Sequence, residues 1–113
     1  MKILETIKKD MEKMMHFFSE NKATQLNVLN YFGYDSVFFI ETNVDTLSNE
    51  KITDFDINYS SVTLTLTIKN DTLDNIRGIE VWNDTPISES EKNAIDEYFK
   101  TQFNTSVIEW IVF

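Results

Sequence analysis

The residues best placed to do chemistry in this sequence are carboxylates. Asp54 and Asp56 sit in a stretch where Phe55, Ile57 and Tyr59 alternate with Asp54, Asp56 and Asn58. On a strand, that spacing puts both carboxylates on one face about 7 Å apart. Such a pair can hold a hard cation, serve as acid and base, or offer negative charge to a partner. Asp71, Asp74 and Asp84 are further acidic positions in turn-like segments. Asp71-Thr-Leu-Asp74 lacks the spacing and central glycine of a calcium-binding loop, so no bound metal is expected. The plainer reading of the Asp54 and Asp56 face is a solvated surface that resists edge-to-edge aggregation.

His16 is the only histidine, with Glu12 and Glu20 one helical turn to either side. A general base needs a cleft and a substrate within reach; one imidazole between two glutamates is more simply a solvated group. It makes no zinc site without further ligands. The chain has no cysteine, which excludes disulfides, thiolate metal sites and a cysteine nucleophile. G-x-S-x-G, H-E-x-x-H and phosphate-binding glycine loops are all missing. With glycine only at positions 33 and 78, no glycine-rich phosphate cradle can form. The expectation is a protein with no catalytic residues, no metal and no cofactor.

Charge narrows the partners. The formal net charge is −9, from nineteen acidic and ten basic residues. Residues 1–22 carry five lysines (Lys2, Lys8, Lys9, Lys13, Lys22) against four acidic groups, whereas residues 23–113 carry five basic against fifteen acidic groups. A body this acidic repels phosphate backbones, whose binding depends on Lys and Arg displacing counterions. A basic protein suits the field better, because opposite fields speed encounter. The alternative is an RNA-binding regulator using Lys8, Lys9 and Lys13 on the N-terminal helix, with Arg77 and a sheet face. About four phosphate contacts would give it a log–log salt slope of only about −3 on single strands. Tyr59, Trp82 and Trp110 are able to stack on bases, but no cations interleave with them.

The elements that must position these groups are legible from hydrophobic spacing. Ile3, Leu4, Ile7, Met11, Met14, Met15 and Phe18 make one face of an N-terminal helix, with Lys8, Lys9, Glu12, Lys13 and Glu20 on the other. Residues 24–32 form a short second helix, capped by Thr24 and stopped at Gly33. The apolar run from Val37 to Ile40, within residues 36–42, predicts a strand covered on both faces. Residues 43–51 read as the longest loop.

After Tyr59, Val62, Leu64, Leu66 and Ile68 alternate with threonines, and the apolar parity flips at Ser60-Ser61. A two-residue turn there places Tyr59 opposite Val62. Ser-Ser suits a type I′ turn poorly, so a bulge in one long bent strand is the alternative. Residues 76–83 form a further strand, in which Gly78 weakens the ladder or lets another group approach closely. Ser88-Glu-Ser-Glu91 is a capping box for a helix with Ala94, Ile95, Tyr98, Phe99 and Phe103 on its stripe. Residues 107–113 are apolar on both faces apart from Glu109, so they belong inside a sheet or under a partner.

The order ααββββαβ describes a single α+β domain over residues 1–113, an antiparallel β-meander sheet of about five strands packed by an N-terminal and a C-terminal helix. No signal-peptide core, membrane span or lipidation motif appears, so a cytoplasmic location is expected. The abundance of Asn, Ile, Lys and Phe points to an AT-rich genome, such as that of a low-GC Gram-positive bacterium or its plasmids and phages. The function expected is that of a non-catalytic regulator, inhibitor or immunity-type partner, meeting a basic protein through Asp54, Asp56, Asp71, Asp74 and Asp84. A homodimer is expected if residues 107–113 form an edge strand, since pairing across a two-fold axis satisfies its amides. A monomer would show a radius of gyration of roughly 13 Å.

Overall fold

The computed structural model describes residues 2–113. In chain order its elements are α1 (Lys2–Glu20), α2 (Gln25–Phe32), β1 (Val37–Val44), β2 (Lys51–Tyr59), β3 (Val62–Lys69), β4 (Thr72–Asn83), α3 (Glu89–Phe103) and β5 (Val107–Val112). The five strands form one sheet in the order β1-β2-β3-β4-β5. β1 to β4 are antiparallel neighbours, and β5 lies parallel to β4. The sheet is therefore mixed rather than antiparallel throughout. Its last connection is a crossover through α3, which returns the chain so that β5 runs in the direction of β4.

Period-two alternation builds the core. Phe55, Ile57, Val62, Leu64, Leu66, Ile79 and Val81 turn to one face of the sheet and are buried with Ile7, Met11, Met14, Val28, Ile95 and Phe99 of the helices. Thr24 caps α2 by accepting the Asn27 amide at 3.2 Å, and Gly33 ends it with a φ of 98°. Ser88 caps α3 by accepting the Glu91 amide at 3.2 Å and donating its hydroxyl to Glu91 Oε1 at 3.0 Å.

Ser60-Ser61 is a hairpin turn, with Tyr59 paired to Val62. Of the two serines only Ser60 has a positive φ, 54°, the pattern of a type II′ turn. A serine there is supported from α1. Asp10 Oδ2 accepts the Ser61 hydroxyl at 2.9 Å and the Ser61 amide at 3.4 Å, and Asp10 itself is only 8% exposed. Asp10 and Phe17 thus join the buried face of α1, whereas Met15 and Phe18 lie at its half-buried margin. Asp10→Ala leaves both Ser61 donors without their acceptor and should cost about 1–3 kcal/mol. Asp10→Asn keeps an acceptor and should cost less. Urea denaturation checks both, and a similar loss for the two variants would mean that the hydrogen bonds are not what matters.

β1 departs from its expected cover. Val37 is buried and Phe39 packs on Phe55 with ring centroids 5.3 Å apart, but Phe38 and Ile40 are exposed. β1 is an edge strand, and a register shift between Phe39 and Glu41 leaves Ile40 as the extra residue of a bulge. The strand continues to Val44, so the loop shrinks to residues 45–50. Within it Asp45 Oδ1 accepts the amides of Leu47 at 2.8 Å and Ser48 at 3.3 Å, which hold its carboxyl below the usual range. That loop satisfies itself.

The β1–β2 hairpin is exposed along its outer half, with Leu47 97% accessible at the tip. The molecule measures 47 × 25 × 24 Å, with a radius of gyration of 14.7 Å. The compact-sphere expectation of roughly 13 Å is too small for this shape. Among the described residues no helix is long and apolar enough to cross a membrane.

Candidate functional site

With all three helices on one side, the opposite face of the sheet carries the polar residues of each strand. Register fixes them into cross-strand rows. Asp54 stands opposite Thr67, Asp56 opposite Thr65 and Asn58 opposite Thr63. Each threonine hydroxyl donates across the strand: Thr67 to Asp54 Oδ1 at 2.7 Å, Thr65 to Asp56 Oδ1 at 2.6 Å, and Thr63 to Asn58 Oδ1 at 2.5 Å. Trp82 Nε1 then donates to Thr63 Oγ1 at 2.9 Å and extends the network to β4. The threonines hold the carboxylates in place without cancelling their charge.

Neighbouring strands widen the acidic face. Glu41 of β1 pairs with Asp54, and on the other flank Glu80 of β4 pairs with Glu109 of β5. Arg77, an extra residue where the β3–β4 register shifts, reaches Asp54 Oδ2 at 3.1 Å. The other ion pair among the described residues, Lys69 with Glu50 at 3.3 Å, lies at the end of the same face, two residues beyond Thr67 on β3. Neither Asp56, Glu80 nor Glu109 has a cation partner among them.

Burial pushes the Glu80 carboxyl above its ordinary value of 4.5, and a hydrogen bond with Glu109 and repulsion from Glu109 and Asp56 push the same way. The sign follows from linkage. Between 4.5 and the raised folded value the unfolded chain ionises first, so stability falls as pH rises through that window. Glu80→Gln should therefore be more stable than the parent at neutral pH and should lose this part of the pH dependence. Thermal melts of both proteins across the window check it. A parent whose stability rises there, with the variant following in parallel, would exclude the repulsion.

Gly78 marks the joint between β4 and β5. A Cβ built there would sit 3.1 Å from Ile108 Cδ1, so the missing side chain makes room for the isoleucine. A register shift between Ile79 and Glu80 leaves Ile108 as the extra residue in β5. Beyond it, Trp82 and Phe113 approach with ring centroids 6.3 Å apart. They separate two shallow clefts of about 530 and 360 Å³, the larger also bounded by Lys2, Ser61, Asp84 and Glu91.

The structure brings together some of the residues singled out by sequence and separates others. Asp54 and Asp56 share the open face. Asp71 lies in the β3–β4 turn with a φ of 64°, and Asp74 is the extra residue of a second shift near that end of β4. Asp84 lies past the other end of the twelve-residue strand, about 40 Å from Asp71 by the rise per residue. The five aspartates therefore do not form one surface. Lys8, Lys9 and Lys13 are exposed on α1, with Lys8 Nζ 5.5 Å from the Tyr98 ring centroid on α3, whereas Arg77 serves the opposite face. His16 is exposed on α1. Among the described residues no group of three His, Cys, Asp or Glu side chains converges as a metal-binding set.

Glu41, Glu80 and Glu109 had no signal in the sequence, because only the strand order carries them to Asp54 and Asp56. Comparison with protein-family models, curated proteins and solved structures finds no match to this chain.

Proposed function

We propose that the chain is a small acidic, non-catalytic binding protein of the cytoplasm, a regulator, inhibitor or immunity-type partner that receives a basic protein on its open sheet face. The observation that supports this reading is the group of carboxylates Asp54, Asp56, Glu80 and Glu109, of which threonine hydroxyls position Asp54 and Asp56, on a face whose cations Arg77 and Lys69 are each already paired with a carboxylate. Carboxylates fixed before binding lose little freedom in the complex, and their field attracts a basic surface at long range. An acidic inhibitor of a nucleic-acid enzyme works in this way, by presenting carboxylates where phosphate would sit. An RNA-binding reading gains nothing from the arrangement, since Arg77 and the α1 lysines cannot meet one strand from opposite faces.

The test is affinity capture from the native host with the parent and with an Asp54→Asn/Asp56→Asn/Glu109→Gln variant. A basic protein should be held by the parent, released at about 1 M salt, where screening acts within about 3 Å, and lost by the variant. Recovery of the chain alone, or capture that ignores the three substitutions, overturns the reading.

A further inference from the structure

We infer that the outer edge of β5 is a docking strand for an extended basic segment of a protein partner, which adds to the sheet as a sixth strand with a lysine or arginine facing Glu109. This rests on the binding reading above and names its mode.

β5 is the last strand of the sheet, paired on one side only. Every second residue of such a strand turns its N–H and C=O outward, a template for another extended chain. Natural edges are usually guarded by lysine, proline or a bulge that twists the strand away. β1, the opposite edge, has its bulge at Ile40 in contact with β2. β5 reads Val-Ile-Glu-Trp-Ile-Val, with neither lysine nor proline. Its own bulge at Ile108 is confined to its start, so Glu109 to Val112 run in unbroken register with β4 and form the template, with Val112 53% exposed.

Charge selects the occupant. Glu109 is exposed beside the half-buried Glu80, and their repulsion finds no cation among the described residues. A second copy would bring another Glu80–Glu109 pair and another body of −9 to the same edge. A basic strand supplies the missing countercharge, and opposite charges directly across two strands attract. On the other face of the sheet the incoming strand meets Trp110, over which Lys92 already sits at 5.7 Å from the ring centroid. A further cation is unwelcome there. The segment that fits has lysine or arginine on one face and apolar residues on the other.

The probe is a ten-residue peptide of alternating lysine and valine, followed by backbone amide spectra and hydrogen exchange of the full chain. The expected result is shifts and new protection confined to residues 107–112, about tenfold weaker for Glu109→Lys. The glutamate-for-lysine twin and a peptide with a central proline should not bind. Peptide shifts centred on Asp54 and Asp56 without protection of β5 would overturn strand addition while leaving the acidic-face reading intact. Absence of any shift overturns the edge inference alone, because the capture experiment judges the broader reading separately. Protection of β5 without peptide, with twice the monomer mass by light scattering, would assign the edge to a second copy and also overturn it.

Discussion

Leu66→Ala should cost about 2–5 kcal/mol, a large share of the roughly 5–15 kcal/mol that holds a domain of this size together. Leu66 lies on β3, the central strand, fully buried beneath the helices and opposite Phe55 and Ile76. Truncation loses the transfer energy of three methyl or methylene-type carbons and leaves a cavity that a closely packed centre cannot close. The adjacent residue is the internal control. Thr65 faces the other way, half-buried, with its hydroxyl on Asp56. Thr65→Ala removes one hydrogen bond, and water can reach the half-buried carboxylate to replace it, so the loss should stay under about 1 kcal/mol. Urea denaturation of both variants, with unchanged slopes, measures the difference. Equal losses would mean that the two faces of β3 have been exchanged.

That contrast was legible in the sequence because a strand has a period of two and the flip at Ser60-Ser61 leaves one register that keeps every apolar residue inside. The helix caps at Thr24 and Ser88 were legible for a similar reason, since each chemistry is local. What stayed hidden depended on distant neighbours. Asp10 falls at the margin of the apolar stripe, three residues after Ile7 and four before Met14, but only the approach of the β2–β3 turn makes burial of its carboxylate favourable. Phe38 and Ile40 read as buried because they are apolar, yet the sheet ends at β1 and gives them no cover. β5 was the least determined element. A strand apolar on both faces carries no parity from which to choose a face, so its register against β4, and with it the meeting of Glu80 and Glu109, followed only from the α3 crossover.

Phe99→Ala should be at least as costly as Leu66→Ala, about 3–5 kcal/mol, and its effect should be uneven along the chain. Phe99 is fully buried on α3 and packs against Tyr98 and Phe103 with ring centroids 5.2 and 6.1 Å away. The end of the same helix fixes the start of β5. Asn104, with a φ of 52°, closes α3, the Thr105 amide donates to the Phe99 carbonyl at 3.4 Å, and Asp96 Oδ1 accepts the Val107 amide at 3.3 Å. β5 has one neighbouring strand, whereas β3 has two, so α3 contributes a larger part of what holds β5 in register. Losing the Phe99 ring should therefore open β5 and α3 before the β2–β3–β4 meander. Hydrogen exchange should show residues 107–112 losing protection beyond the global loss, while Leu64 and Leu66 amides follow global unfolding. A partner strand that adds to β5 should bind this variant more weakly even though no contact residue has changed, because part of its binding energy must first restore the edge. Uniform loss of protection across all five strands would show that the crossover and the meander unfold as one unit.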